Sequence, residues 1–260
     1  MMSIVDVQSR TDHRKIAIHR VGIKGIKHPI YVTQRDQTSQ PSVAIFDMAV
    51  SLPDDVKGTH MSRFVDVLQQ LDTPIDTQSF AALLQIMRTR LDAQMSFIQA
   101  DFPFFMQKKA PASGVVSLMD YQVSFIGHAR GNDNEILVKL VVPVTSLCPC
   151  SKEISKYGAH NQRSHVTLTV RANAAFPFVL EEWIELVETQ ASCQLYGLLK
   201  RSDEKFVTEQ AYENPKFVED MVRDIAEKLK EKSNISGFCV ESENFESIHN
   251  HSAYAIIDEL

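Results

Sequence analysis

The sequence predicts an α+β protein built as two tandem modules with antiparallel sheets, and three observations predict it. Apolar runs of strand length come in pairs. Stretches with apolar residues at helical spacing stand between those pairs, and the order strand, strand, helix, helix, strand, strand recurs in both halves. The chain has 260 residues, 44% of them hydrophobic. That is enough for one compact unit holding two modules of about 130 residues, with approximate halves at 40–130 and 131–260. Residue-level identity between the halves is not evident, so the repeat is one of architecture.

Read from the N-terminus, the first forty residues fit neither half, and the polar stretch 33–42 is expected to be a mobile loop. Residues 43–51, Val-Ala-Ile-Phe-Asp-Met-Ala-Val-Ser, read as a strand. Helices are predicted over 61–71 and 77–94, the second with Phe80, Leu83, Leu84, Met87 and Leu91 at helical spacing. Strand-like runs at 96–105 and 115–126 follow, divided by the turn sequence Lys-Lys-Ala-Pro-Ala-Ser-Gly. The second half opens with strands at 135–145 and 165–171. A helix over about 180–196 then carries Trp183, Ile184, Val187, Ala191 and Leu195 on one face. The next helix is expected to open at Asn214-Pro215, a capping residue followed by proline at the first helical position. It should turn Phe217, Val218, Met221, Val222, Ile225 and Leu229 inward. Strands at 237–245 and 253–257 close the second half.

A net charge of −6 argues against a nucleic-acid binder that relies on a broad basic face. No run of about eighteen apolar residues offers a membrane span, and residues 1–20 are too charged for the core of a signal peptide. These features place the chain in the cytoplasm. The four cysteines, at 148, 150, 193 and 239, are too few and too unevenly spaced for a disulfide framework. Cys193 and Cys239 sit in apolar patterns and read as core, whereas Cys148 and Cys150 flank a proline and precede polar residues.

Chemistry is densest in Ser146-Leu147-Cys148-Pro149-Cys150-Ser151-Lys152-Glu153 and the following Tyr157-Gly158-Ala159-His160-Asn161-Gln162-Arg163-Ser164-His165. Thiolate and imidazole are the usual ligands of zinc, and with a carboxylate they also hold iron or manganese. The second pair of ligands that a closed structural zinc site would show is missing. Spacing alone leaves three readings: a catalytic metal with an open position, a redox or nucleophilic cysteine, or inert residues. A second cluster, 241–251, holds His249 and His251; it reads as a solvated hairpin or as a source of proton transfer. The charge run 200–205 reads as a solvated loop. Glu219, early in its helix, suits the positive helix N-terminus and equally the N–H edge of a guanine. His60 and Arg63 precede or begin a helix, where backbone amides can join them in holding an anion; Lys108 and Lys109 could add charge.

Five segments together resemble GTP cyclohydrolase IB, the prokaryotic first enzyme of folate synthesis: 57–64 (KGTHMSRF), 143–166 (PVTSLCPCSKEISKYGAHNQRSHV), 188–205 (ETQASCQLYGLLKRSDEK), 214–223 (NPKFVEDMVR) and 240–254 (VESENFESIHNHSAY). The one departure noted is Ser202, where the family usually has proline. The resemblance implies a tunnelling fold with two modules in one chain, assembled as a homotetramer with active sites between subunits. It places the metal ligands on Cys148, His160 and Glu204 and the guanine-anchoring carboxylate on Glu219, and it sets Cys150, Glu153 and His249 around the reacting purine. The implied reaction takes GTP and water to 7,8-dihydroneopterin triphosphate and formate, starting with water attack at carbon-8 of guanine, and His249 is the expected proton carrier. One divalent metal per site is implied, manganese or iron(II) as well as zinc because of the carboxylate, with no organic cofactor. His60, Arg63, Lys108, Lys200 and Arg201 are candidates for the triphosphate.

The rival reading is the related 7-cyano-7-deazaguanine reductase, which shares a Leu-Cys-Pro element and uses a cysteine thioimide with NADPH. His160 and Glu204, which that chemistry does not need, stand against it. The non-enzymatic alternative is a metal-stabilised interaction module.

Overall fold

The structure, a computed structural model, describes residues 7–8, 10–173 and 175–260. The chain divides into two compact units. The first comprises Met1–Phe102, Ser124–Leu137 and Ala174–Phe178, the second Pro103–Val123, Val138–Asn173 and Val179–Leu260.

In the first unit, strand β1 (Ile18–Thr33) pairs antiparallel with β2 (Ser39–Leu52), with register shifts between Ile18 and Val21 and between Ile23 and Ile26. Period-two alternation buries Ala44, Phe46, Met48 and Val50 of β2. Helices α1 (Met61–Gln69) and α2 (Thr77–Arg90) pack on each other, burying Phe64, Val67 and Leu68 from one and Phe80, Leu84 and Met87 from the other. The start of α2 is fixed by a reciprocal cap: Ser79 N donates to Asp76 Oδ1 at 2.7 Å and Asp76 N to Ser79 Oγ at 2.9 Å. The unit takes the first part of β3 (Met95–Lys109), the last part of β4 (Val116–Arg130) and the start of β5 (Asp133–Leu147). Its pairing order is β1-β2-β3-β4-β5.

The second unit takes the remainder of β3, β4 and β5. It adds α3 (Pro149–Ile154), β6 (Asn161–Ala172), α4 (Leu180–Gln190), β7 (Cys193–Gln194), α5 (Arg201–Glu213), α6 (Val218–Lys230), β8 (Ile235–Asn244) and β9 (Ala253–Glu259). The pairing order is β3-β4-β5-β6-β8-β9, with β7 on β5. Helix α6 puts Met221, Val222, Ile225 and Leu229 at four-residue and three-residue steps on one buried face, packed against β8, β9 and α4. None of the described helices is long and apolar enough to cross a membrane.

Several expectations are corrected. Residues 18–33 form β1, and only the turn around 34–38 separates it from β2; the exposed edge pattern of β1 hid it. The helix expected to reach 196 ends at Gln190, because Ser192 Oγ accepts from Leu147 N at 3.1 Å and Cys193 pairs with Thr145. The charge run 200–205 is no loop: it lies at the start of α5. Asn214 caps the C-terminus of α5, its Nδ2 donating to Ala191 O at 2.8 Å, and α6 starts after Phe217.

Candidate active site

Strand β5 delivers Cys148 to the N-cap of α3, where Pro149 supplies the preset first helical position. The Cys148 Sγ accepts from Ser151 N at 3.5 Å. Gly158, at φ 125°, holds a backbone conformation that suits glycine, and the chain then turns back. Three bonds lock the return: Cys148 N donates to His160 O at 3.1 Å, Ser151 Oγ to Cys148 O at 3.1 Å, and His160 N to Ser151 Oγ at 3.2 Å. Cys148 and His160, twelve positions apart, are thereby brought side by side.

Lys216 N donates to Leu147 O at 3.1 Å and ties the segment before α6 to the end of β5. Phe217 N donates to Asp220 Oδ2 at 3.1 Å, which starts the helix and presents Glu219 in its first turn. Cys148, Gln162, Lys216, Phe217, Glu219, Asn244 and Glu246 consequently line one cavity of about 230 Å³. Lys216 is neutralised there by Asp224. His160 Nδ1 lies 3.0 Å from Gln162 Oε1 and 3.8 Å from Glu246 Oε2.

The other predicted residues are placed as follows. Cys150 and Glu153 are exposed on α3. His249 is exposed in the loop between β8 and β9, its ring stacked on His251 at 5.0 Å and outside the cavity lining. Glu204 is exposed on α5. Lys200 N donates to Asp203 Oδ2 at 2.8 Å, and Arg201 begins α5 exposed. His60 is the N-cap of α1 in the first unit, and the nearby Arg63 donates to Arg90 O at 3.5 Å. Lys108 is buried against Glu188 and also donates to Gln194 Oε1 at 2.8 Å, so it is no surface cation for phosphate.

Cys148 sulfur and His160 imidazole suit a divalent transition metal, and the Nδ1 contact leaves Nε2 as the nitrogen available to it. Among the described residues no three His, Cys, Asp or Glu side chains are grouped to hold a metal ion, so within one chain Glu204 does not join the pair. Phe217, expected to turn inward with the apolar face of its helix, is instead the half-exposed N-cap of α6 and lines the cavity, and Gln162, Asn244 and Glu246 carry no individual role in the sequence pattern. Polar Gln162 and Ser164 at inward positions of an otherwise apolar strand were the available signal.

Residues 4–255 match the family described as Type I GTP cyclohydrolase folE2. The chain is 59% identical over 256 residues to the GTP cyclohydrolase FolE2 of Nitrosococcus oceani, covering 98% of this chain and 95% of that one. To the GTP cyclohydrolase FolE2 2 of Dechloromonas aromatica it is 56% identical over 256 residues, covering 98% and 94%. Among solved structures, the uricase of Arthrobacter globiformis is similar in fold, with a TM-score of 0.50 at 8% identity over 98% of this chain and 96% of that one.

Proposed function

The chain belongs to the type I GTP cyclohydrolase folE2 family and is a GTP cyclohydrolase of folate biosynthesis, and from that premise we propose that guanine is bound and opened in the cavity beside Cys148. One observation carries the reading: a carboxylate (Glu219), an exposed aromatic ring (Phe217) and the Cys148 thiol line the same 230 Å³ space. Glu219 accepts the N–H edge of the base, and Phe217, 41% exposed, offers the apolar face against which a purine stacks. The reaction converts GTP and water to 7,8-dihydroneopterin triphosphate and formate. Cys150, Glu153 and His249 lie outside the cavity lining of one chain, so their proposed places beside the purine, with His249 moving protons at the imidazole nitrogens and the ribose oxygen, need the same closure that Glu204 needs.

Cys148 and His160 would hold one divalent cation, manganese, iron(II) or zinc, with Glu204 as third donor. When bound, such a cation supplies Lewis acidity that makes water a nucleophile at neutral pH. Closure of the set by Glu204 needs a rearrangement or a second subunit, which accords with a homotetramer whose sites lie between subunits. Lys200 and Arg201, in the same unit as the cavity, are proposed for the triphosphate. Tandem tunnelling-fold modules, about 40–130 and 131–260, are proposed from the strand, strand, helix, helix, strand, strand order, which β1 to β4 follow directly and the second half follows with α3, β7 and α5 inserted. A cytoplasmic location fits four cysteines that are all free thiols.

The test is turnover of GTP without NADPH, read as formate release and pteridine fluorescence; no product without NADPH favours the reductase chemistry instead. Glu219→Ala should keep its metal and raise the KM for GTP roughly 10- to 100-fold, the factor expected when a buried polar edge loses its partner. An unchanged KM removes Glu219 from the site.

A further inference from the structure

Beneath the cavity, four buried side chains form a hydrogen-bond chain that runs from His160 to the end of β8, and it fixes one tautomer of the imidazole. Ser164 Oγ donates to Asn244 Oδ1 at 2.7 Å. A hydroxyl has a single proton, so Ser164 Oγ is left to accept from Ser146 Oγ at 2.8 Å. Ser146, its own proton committed, accepts from Gln162 Nε2 at 2.9 Å. The amide is thereby oriented with Oε1 facing His160 Nδ1 at 3.0 Å. A carbonyl oxygen only accepts, so the proton of the neutral imidazole sits on Nδ1; Glu246 Oε2, 3.8 Å from the same nitrogen, favours it there too. Gln162, Ser146, Ser164 and Asn244 are 8%, 1%, 0% and 4% exposed, which leaves little room for water to replace a link.

We propose that Gln162 is a positioning residue: through Ser146, Ser164 and Asn244 it holds His160 in the Nδ1–H tautomer, with the Nε2 lone pair directed to a divalent cation. Asn244 is the last residue of β8, where the loop bearing Glu246 and His249 departs, so the same chain ties that loop to the histidine. The tautomer assignment rests on the hydrogen bonds alone. What Nε2 then binds rests on the metal reading above.

The experiment uses full-length metal-free protein at a pH where imidazole is neutral. Long-range ¹⁵N–¹H correlation of the His160 ring should show a proton on Nδ1. Gln162→Leu should lose that preference and bind Zn²⁺ or Mn²⁺ on the order of 10- to 100-fold more weakly, as removal of a metal-orienting partner does. Gln162→Glu, which keeps the acceptor, should restore the tautomer. Ser164→Ala, which frees Ser146 to donate to Gln162 and lets the amide turn over, should shift the proton toward Nε2 and keeps the test available if Gln162→Leu does not fold. A wild-type ring protonated on Nε2, or a wild-type spectrum in both Gln162→Leu and Ser164→Ala, overturns the proposal. His160→Ala with undiminished Zn²⁺ and Mn²⁺ affinity would instead overturn the metal reading and leave the tautomer result standing.

Discussion

Glu188 shows what one buried charge requires. It is 2% exposed, and both of its oxygens are engaged: Tyr121 Oη donates to Oε1 at 2.7 Å, and Lys108 Nζ donates to Oε2. The Lys108 ammonium also lies 5.2 Å from the Tyr196 ring and donates to Gln194 in β7. Burial, and next the Glu188 charge, push the Tyr121 hydroxyl well above the ordinary tyrosine range, so it stays a donor. Taking either ion away strands the other in a low-dielectric interior. Glu188→Leu should therefore lower unfolding free energy by about 3–5 kcal/mol in urea titrations. Lys108→Met combined with Glu188→Leu should recover most of that loss, since an apolar pair of similar size removes both desolvation penalties. If the double variant is as unstable as the single one, charge pairing is not the reason these residues sit there.

The start of helix α5 is fastened by one carboxylate. Asp203, fully buried, accepts from Ala112 N at 2.8 Å, Ser113 N at 2.7 Å, Ser113 Oγ at 2.6 Å and Lys200 N at 2.8 Å, which fastens the start of the helix to the β3–β4 turn. Nearby, Gly197 runs so close to β4 that an added Cβ would lie 2.5 Å from Leu118 O. Burial by itself raises the Asp203 carboxyl, but the bonds from Ser113, Lys200 and Ala112 outweigh it and hold the group below the usual aspartate range. A folded-state value below the unfolded one, about 3.9, contributes stability that is complete above that value and is lost as pH falls through the folded value. The wild-type melting midpoint should thus drop steeply as pH falls below about 4, and Asp203→Asn should start lower and show a shallower drop. Equal acid slopes would locate the acid sensitivity elsewhere. This helix also marks the limit of what the sequence showed. Strands β2 to β5 and helices α2, α4 and α6 announce themselves because one face of each is apolar and buried. Only Asp203 and Ala211 of α5 are buried, so no apolar stripe marks it, and a helix anchored by a carboxylate looks like a solvated charge run. The site divides in the same way. Cys148 and His160 meet through a local turn and stood out by spacing, whereas the Gln162–Asn244 link depends on β6–β8 pairing that no spacing reveals.

Each unit of the molecule closes a core without the candidate metal ligands. The first buries Phe46, Met48, Phe64, Leu68, Phe80, Leu84, Met87, Ile98, Phe102 and Phe125; the second buries Leu140, Val142, Val166, Leu168, Trp183, Ile184, Met221, Ile225 and Val240. Cys148 and His160 are neither fully buried nor part of these sets. Metal binding is folding energy where a small domain lacks apolar burial, and neither unit lacks it. The cation proposed for Cys148 and His160 is accordingly expected to serve turnover and not the fold. Chelated protein and Cys148→Ala should keep the far-UV circular dichroism of the holoenzyme and melt within about 4 °C of it, the shift that roughly 1 kcal/mol produces in a chain of this size. Neither sample should release formate from GTP, and readdition of Mn²⁺ or Zn²⁺ should restore the chelated protein but not Cys148→Ala. Loss of the circular dichroism signal on chelation would make the metal a structural one and return the chain to the class of metal-stabilised interaction modules, because a cation needed for folding gives no reason to expect an open position for water.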